Sequence, residues 1–465
     1  MKYISTRGAA PTIGFADALL AGLATDGGLY LPEFWPTLPP LDELRGRTYS
    51  EVAAKVMWPF VEEDIDRDVF DSLVAEAYSV FDDPRVCPVV DLGVTASGAS
   101  HHLVELFHGP TFAFKDVALQ LVGRLFDHFL TERGERVCIL GATSGDTGSA
   151  AIDSVVGRDA IDIFILFPEG RVSEVQRRQM TTVDSPNVHA VAVAGNFDDC
   201  QDLVKAAFAD EAFRNGVHLS AVNSINWARV MAQIVYYVTA ALEVNGAKAP
   251  VSFSVPTGNF GNILAGWVAK QMGLPIERLI VASNSNDILT RFFTTGTLEI
   301  REVIPTSSPS MDIQISSNLE RLLFEVLGRD GRHIAEMLTN FRSSGVTSVE
   351  MDALERLGRS FDARRVTENE VAATIRSIHA ETNMIIDPHT AVAVRAAIDM
   401  PGSSDTPVIS LSTAHPAKFP DAVSAALGER PPVPAKLARV FDLPERTTSI
   451  SNDLTAVKHL ILSRI

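Results

Sequence analysis

The chain has 465 residues and a formal net charge of −18, from 40 basic and 58 acidic side chains. This length exceeds what one hydrophobic core can fill, and the negative charge disfavours nucleic acid and anionic membranes as partners. Three widely spaced cysteines and the lack of any apolar run of about 18 residues indicate a cytoplasmic protein without disulfides, bound metal or membrane segment.

Residues 1–95 have no repeating pattern of strands and helices, and they contain a proline-rich stretch from Leu31 to Pro40. We predict a small, mainly helical N-terminal domain over this range. The segment from Ala24 to Tyr30 holds two adjacent glycines, which is typical of a turn that leads into a short strand. Nothing in these residues alone indicates an activity.

From residue 96 onward, apolar runs typical of strands alternate with helical spacing, which predicts an α/β fold with parallel sheets. The predicted strands are Val137–Leu140, Ile163–Phe167, Val188–Val193, Val251–Val255, Leu279–Ala282 and Val408–Leu411. A long buried helix is predicted from Trp227 to Leu242. We expect two open α/β domains, at 96–245 and 246–465, with a charged helical insertion on the surface at 328–375.

The stretch from His108 to Asp116 (HGPTFAFKD) sets one lysine, Lys115, among aromatic and small apolar residues just before a predicted helix. Desolvation and the positive end of the helix dipole both disfavour an ammonium group at this place. A fraction of neutral amine would let Lys115 attack an aldehyde, as in enzymes that hold their cofactor on a lysine. An ordinary lysine with a packed stem and a solvated head is the alternative.

The first glycine loop runs from Leu140 to Ala150, after a predicted strand, and interleaves hydroxyl groups with glycines at a helix start. Backbone N–H groups and hydroxyls at such a place suit a carboxylate. The spacing is GxxxGxxG rather than the GxGxxG of dinucleotide-binding folds, so a dinucleotide is not expected. A capped helix start without a ligand is the alternative.

The second glycine loop, from Val255 to Asn262 (VPTGNFGN), also joins a strand to a helix. Its two glycines allow the backbone to approach an anion closely, and the missing GK[ST] ending argues against a nucleoside triphosphate. A single small phosphate is the predicted ligand. A tight strand-to-helix turn capped by Asn262 is the alternative.

The last candidate is the strand end from Ile409 to Phe419 (ISLSTAHPAKF). A hydroxyl at the carboxyl end of a parallel strand points into the crevice where open sheets bind ligands, which places Thr413 to contact a ring. His415 is a candidate general base, although a local structural role explains it as well.

Taken in this order, the motifs resemble the threonine synthases, a family of enzymes of fold type II that depend on pyridoxal 5'-phosphate (PLP). The resemblance rests on YISTRG, ATDGGLYLPE, HGPTFAFKD, GATSGDTGSAA, PTGNFGN, SPSMDIQISSNLERLLFE and STAHPAKF. It implies a tryptophan synthase β-like fold. The two N-terminal motifs separate the family from simple dehydratases of that fold, and the motifs extend over nearly the whole chain apart from 328–375.

By this resemblance, Lys115 would hold PLP and transfer protons, and Thr413 would face the pyridine nitrogen. The PLP phosphate would be held by the second glycine loop, at Gly258, Asn259, Phe260, Gly261 and Asn262. The α-carboxylate of the substrate would be held by the first loop, at Ser144, Gly145, Asp146 and Thr147. Candidates for the phosphate of the substrate are Arg171, Lys418 and Thr111.

The implied reaction converts O-phospho-L-homoserine and water to L-threonine and phosphate by γ-elimination and β-addition, in a monomer or homodimer. Two alternatives stay open from the sequence. A threonine-synthase-like phospholyase would use the same loops and release a keto acid, and an inert homologue would bind anions with the same fold. No nucleic acid, membrane or metal is expected as a partner.

Overall fold

The computed structural model describes residues 1–95, 98–221, 224–400 and 405–465. The N-terminal part is mainly helical, as predicted. Its elements are β1 (Tyr3–Ser5), α1 (Phe15–Ala21), β2 (Tyr30–Pro32), α2 (Leu41–Leu44), α3 (Tyr49–Val61) and α4 (Arg67–Ser79). The two strands pair antiparallel, and a capping box between Thr48 and Glu51 starts α3.

The elements that follow alternate between strands and helices. Up to residue 245 they are β3 (Val89–Val94), β4 (Ser100–Glu105), α5 (Lys115–Arg133), β5 (Val137–Ala142), α6 (Asp146–Val155), β6 (Ile161–Pro168), α7 (Glu174–Thr181), β7 (Val188–Val193), α8 (Phe197–Ala209), α9 (Glu211–Gly216), β8 (Leu219–Ser220) and α10 (Trp227–Asn245).

The remaining elements complete two sheets and add peripheral helices. They are β9 (Val251–Pro256), α11 (Gly261–Gln271), β10 (Ile276–Ser283), α12 (Ile288–Thr295), β11 (Thr297–Glu299), α13 (Leu319–Val326), α14 (Gly331–Ser344), β12 (Val346–Ser348), α15 (Met351–Gly358), β13 (Phe361–Arg365), α16 (Glu368–Thr382), α17 (Pro388–Asp399), β14 (Val408–Ser412), α18 (Pro420–Leu427), α19 (Ala435–Arg439), β15 (Thr448–Ile450) and α20 (Leu454–Leu462).

Two larger sheets carry the fold. One has five parallel strands in the order β15-β7-β6-β5-β8, and the other has six in the order β13-β10-β9-β14-β4-β3. Within the second sheet only the β3–β4 pair is antiparallel. All six predicted strands are present, and every residue of β6 and β9 is buried, as expected for parallel strands covered by helices.

Sheet membership does not follow the order of the chain. β3 and β4, at 89–105, join the sheet that is otherwise built after residue 250, whereas β15, at the C-terminus, joins the earlier sheet. Each sheet thus takes strands from more than one of the predicted segments 1–95, 96–245 and 246–465. The limits of the domains stay a prediction. The segment 328–375 is not purely helical, because β13 pairs with β10 at the edge of the second sheet.

Helix α10 is the buried helix that the apolar spacing predicts. Asn226 caps its N-terminus by accepting a hydrogen bond from the Ala228 N–H at 3.1 Å, and Gly246, in the left-handed region, ends it. The helix packs against α3, α5 and α11, so the N-terminal part and both sheets share one hydrophobic core. Among the described residues, no helix is long and apolar enough to cross a membrane.

Candidate active site

A cleft of about 1050 Å³ opens at the carboxyl ends of β5, β9 and β14. Ligands of open α/β folds bind at this edge of the sheet, where loops and helix starts present their N–H groups. Lys115 lines the cleft together with most residues of both glycine loops and with Thr413. Four separate stretches of sequence therefore meet in one cavity.

Lys115 stands at the start of α5 and is held there by the neighbouring strand end. The N–H of Phe114 donates to the Thr413 carbonyl oxygen at 2.8 Å, and Ala113 forms a bridge with Ala414. The lysine is 7% exposed, and its amine lies 4.9 Å from the centre of the Phe114 ring. These contacts fix the amine inside the cleft.

Burial lowers the pKa of Lys115, and the positive charges of Lys418 and Arg229 lower it further, while Asp146 opposes the shift. Asp146 Oδ2 lies 3.5 Å from the Lys115 amine. The net direction favours a neutral amine more than in water, which is what an attack on an aldehyde requires.

The Asp146 carboxylate is held by ion pairs and a hydrogen bond on the wall of the cleft. Burial raises its pKa, but the ammonium groups of Lys418 and Lys115 outweigh this and hold it well below the ordinary value. Lys418 Nζ lies 2.8 Å from Asp146 Oδ1, and Gln176 Nε2 donates to the same oxygen at 2.8 Å. The side chain thus stays ionised beside Lys115.

Two of the residues predicted to bind the phosphate of the substrate are engaged below the cleft. The Lys418 side chain is fully buried, and its amine also donates to the Thr111 carbonyl oxygen at 2.8 Å. The Thr111 hydroxyl donates to Asp116 Oδ1 at 2.6 Å. Arg171 is exposed on a turn after β6. None of the three lines the cleft.

The first glycine loop presents its residues unequally. Ser144, Asp146 and Thr147 line the cleft, whereas Gly145 lies behind it, where a Cβ would collide with the Gln176 side chain. The Thr143 hydroxyl oxygen accepts the N–H of Gly145 at 3.0 Å. Hydroxyls and the start of α6 thus face the cavity, as the sequence suggests for a carboxylate site.

The second glycine loop turns sharply into α11. Phe260 has a φ of 64°, so the chain passes through the left-handed region immediately before Gly261. A Cβ at Gly258 would lie 2.8 Å from the Ser310 carbonyl oxygen. The loop therefore needs glycine at 258 for its own packing, in addition to any ligand.

Asn262 closes the loop and is not a simple cap. Its Oδ1 accepts hydrogen bonds from the Tyr236 and Tyr237 hydroxyls at 2.6 and 2.9 Å. Its Nδ2 is buried, lines the cleft and has no partner among the described residues. A buried donor without a partner marks a place where a ligand acceptor belongs.

Two further polar side chains of the cleft escaped the sequence analysis. Arg229 is 4% exposed, and its Nε and Nη1 are buried without a partner in the described part of the chain, as is Gln233 Oε1. Burial lowers the pKa of Arg229 to about 10, so it remains charged at pH 7. The two residues are one helical turn apart, and this pair of polar residues in the otherwise apolar first half of the helix was the available signal.

His389 also lines the cleft and is held in one orientation. Its Nδ1 lies 2.9 Å from Asp387 Oδ1, and its Nε2 accepts the N–H of Ser310 at 3.3 Å. By contrast, His415 accepts the Ala417 N–H and caps a short 3-10 turn, which supports its structural role. No pattern in the sequence separated these two histidines.

The unpartnered groups test whether PLP fits. An asparagine amide without a partner among the described residues and a lysine amine of lowered pKa face one cavity beside a helix start. A ligand with an aldehyde and a phosphate would satisfy this set, which a neutral apolar ligand would leave unpaired. The residues present therefore fit PLP.

A buried lysine of lowered pKa beside a glycine loop and a helix start suits an enzyme of fold type II that depends on PLP, and the chain belongs to that class. The family model described as "Pyridoxal-phosphate dependent enzyme" matches residues 88–411. "Threonine synthase N terminus" matches 2–78, and "Threonine synthase, C-terminal" matches 390–461. The chain belongs to the threonine synthase family.

Similar proteins agree over the full length. Threonine synthase of Pseudomonas aeruginosa is 51% identical over 99% of this chain and 98% of its own. The crystal structure of PLP-bound threonine synthase from Brucella melitensis superposes with a TM-score of 0.96, at 51% identity over 100% of this chain and 99% of the other. The crystal structure of threonine synthase from yeast superposes with a TM-score of 0.94, at 40% identity over 100% of this chain and 98% of the other.

We expect Gly258→Val to weaken PLP binding by about tenfold or more, because the added Cβ displaces the loop from Ser310 and costs at least one charge-assisted hydrogen bond. The measurement is the PLP content of the protein after dialysis, followed by titration. Gly358→Val is the matched control, since a Cβ there meets nothing within 4 Å. Equal retention in both variants would remove the case for this loop.

Proposed function

We propose that this threonine synthase converts O-phospho-L-homoserine and water into L-threonine and inorganic phosphate. The enzyme depends on PLP and acts on a small molecule. The observation that supports this particular substrate is Arg229, a buried guanidinium in the same cleft as Lys115, two of whose donors have no partner among the residues that the structure describes. A cation so placed suits a substrate that carries its own phosphate.

We propose that the second glycine loop, Gly258 to Asn262, holds the PLP phosphate and that Lys115 binds the aldehyde carbon. When bound, PLP supplies an electron sink for the bonds at the amino-acid α-carbon. The protein must then direct each proton. Thr413, which lines the cleft, would offer a neutral hydroxyl to the ring nitrogen and not a carboxylate, so proton control would fall on Lys115.

Lys115 is the proposed acid and base, because it is the amine that the cleft desolvates. With PLP bound, Lys115 would take the proton from the substrate α-carbon and would serve as acid and base at the β- and γ-carbons. Asp146 holds the amine in place from 3.5 Å, and Lys418 holds Asp146. Lys418 is thereby a positioning residue for Lys115.

The α-carboxylate of the substrate is assigned to Ser144, Asp146 and Thr147, with the hydroxyls and the N–H groups at the start of α6 as donors, while Gly145 shapes the turn between them. The Asp146 side chain is turned to Lys418 and Gln176, so Asp146 contributes to the carboxylate site through its backbone.

We further propose that the protein is a monomer or homodimer in the cytoplasm. Three buried free thiols support a reducing compartment.

We expect Arg229→Met to lower kcat/KM for O-phospho-L-homoserine by about 10- to 150-fold, from the loss of one charged contact of roughly 1.5–3 kcal/mol. Methionine keeps the apolar stem packed. The measurement is steady-state turnover with saturating PLP, together with a PLP titration of the variant.

Arg301→Met is the matched control. Arg301 also lines the cleft, but it is 57% exposed and pairs with Glu299 at 2.7 Å, so its loss should change kcat/KM little. If Arg229→Met instead loses PLP affinity and keeps its kcat/KM at saturating PLP, the guanidinium serves the cofactor and the assignment to the substrate fails.

A further inference from the structure

The proposed phosphate loop is held from behind by a segment that does not take part in the reaction. The backbone N–H and the Nδ2 of Asn318 both donate to the Asn259 carbonyl oxygen, at 3.1 and 3.0 Å. The Ser316 hydroxyl donates to the Gly258 carbonyl oxygen at 2.7 Å. Residues 316–318 thus fix the backbone of two successive loop residues.

Asn318 is in turn held by Arg321, in the first turn of α13. Arg321 Nη1 donates to Asn318 Oδ1 at 2.5 Å, and Nε and Nη2 donate to the Tyr30 carbonyl oxygen at 2.9 and 2.7 Å. Nη2 also donates to the Ile225 carbonyl oxygen at 2.6 Å. One guanidinium therefore joins β2, the segment before α10 and, through Asn318, the phosphate loop.

The burial of Arg321 costs free energy, because its charged guanidinium loses contact with water. Its side chain is 1% exposed, and the acceptors around its guanidinium are neutral oxygens of Tyr30, Ile225 and Asn318. A buried charge of this kind contributes little to stability compared with an apolar side chain of similar volume. What it provides is a rigid junction, because a planar fork sets the directions of several acceptors at once.

The residue before it ties the N-terminus to the same helix. Glu320 Oε1 accepts hydrogen bonds from the Thr6 hydroxyl at 2.5 Å and from Arg7 Nε at 3.1 Å, and Oε2 accepts from Arg7 Nη2 at 3.1 Å. The Thr6 hydroxyl oxygen also accepts the Leu29 N–H at 2.8 Å. The segments next to β1 and β2 are both fastened to α13.

We propose that Arg321 is a positioning residue that couples the docking of the N-terminal strands to the affinity of the phosphate loop for PLP. Thr6, Arg7 and Tyr30 do not line the cleft, yet they hold the helix that holds the loop. The inference rests on the proposed role of Gly258 to Asn262. By linkage, PLP must tighten the docking of the N-terminal strands by the same factor by which docking tightens PLP.

The first test is a PLP titration of the PLP-free full-length protein, monitored by absorbance. Arg321→Met and Asn318→Ala should each raise the dissociation constant about tenfold or more, from loss of contacts to a charged group. Arg321→Lys keeps the charge but not the fork, should also weaken binding, and serves if Arg321→Met does not fold.

Arg124→Met is the matched control. Arg124 is also buried, and its Nε donates to Glu76 on α4 at 2.9 Å, so it too joins the N-terminal part to the rest of the chain. It does not contact the phosphate loop. We expect its loss to destabilise the protein and to leave the PLP dissociation constant within about twofold.

The second test is hydrogen exchange in peptides that cover residues 1–33, with and without PLP. PLP should slow exchange there in the natural sequence and in Arg124→Met, and have no such effect in Arg321→Met or Asn318→Ala. Any of three results would overturn the proposal. These are an unchanged PLP affinity in Arg321→Met, an equal loss of PLP affinity in Arg124→Met, or hydrogen exchange in residues 1–33 that is the same with and without PLP.

Gly258→Val separates the two levels of the argument. If neither Gly258→Val nor Arg321→Met alters PLP affinity, the assignment of the phosphate loop fails. If Gly258→Val alone weakens PLP binding, the loop is right and the coupling through Arg321 is wrong.

Discussion

Lys115→Ala is expected to lower kcat by at least about four orders of magnitude, since one general acid–base group contributes about 10²–10⁴ and Lys115 is assigned several proton transfers. The variant should still bind PLP through the phosphate loop, with lower affinity. The measurement is single-turnover threonine formation at saturating PLP. Lys270→Ala is the control, because Lys270 lies at the far end of α11 from the loop and its amine donates to the Glu277 carbonyl oxygen.

The same experiment locates the covalent link. Borohydride reduction of the natural protein, followed by peptide mapping, should find the pyridoxyl group on Lys115, and reduction of Lys115→Ala should leave none. A pyridoxyl group on another lysine, or turnover in Lys115→Ala above about 1% of the natural rate, would refute the assignment of Lys115.

Selectivity for a phosphorylated substrate is the second large effect. We expect kcat/KM for L-homoserine to be roughly 10²–10⁴ lower than for O-phospho-L-homoserine, because two charge-assisted hydrogen bonds of roughly 1.5–3 kcal/mol each are lost. The loss of phosphate also removes the leaving group at the γ-carbon. The comparison uses equal enzyme and saturating PLP, and L-threonine is tested as a third substrate.

Arg229 sharpens that comparison. If the guanidinium holds the phosphate of the substrate, Arg229→Met should narrow the ratio between the two substrates, since homoserine has no phosphate to lose. An unchanged ratio would mean that other groups select the phosphorylated substrate. Dominant keto acid from threonine would instead indicate a dehydratase.

The strands and both glycine loops could be predicted because their signals are local. Continuous apolar runs such as Val251 to Val255 bound by glycine turns indicate buried parallel strands without reference to the rest of the chain. The helix start at Lys115 is likewise encoded in a few residues. These features sufficed to bring the four candidate stretches to one edge of the sheets.

The partners of the site residues could not be predicted, because they lie far apart in the chain. Lys418 and Asp146 are 272 positions apart and pair below the cleft, so a lysine that looked available for a phosphate is committed to a carboxylate. Short edge strands such as β15, with three residues, carry too little periodicity to be assigned to a sheet.

Arg229 and Arg321 were missed for a different reason. Charged side chains are mostly exposed in proteins, so an arginine in a helix is expected at the surface until the packing shows that its guanidinium is buried. Whether such a group is satisfied by carbonyl oxygens, as in Arg321, or left for a ligand, as in Arg229, depends on atoms from several elements. Sequence patterns do not contain that information.

Product analysis with O-phospho-L-homoserine as the sole substrate tests the central claim most directly. L-threonine, inorganic phosphate and keto acid are quantified in one reaction with PLP present. We predict threonine and phosphate in equal amounts, with keto acid negligible beside them. Phosphate accompanied by an equal amount of keto acid, and no threonine, would contradict the proposed function and identify a phospholyase.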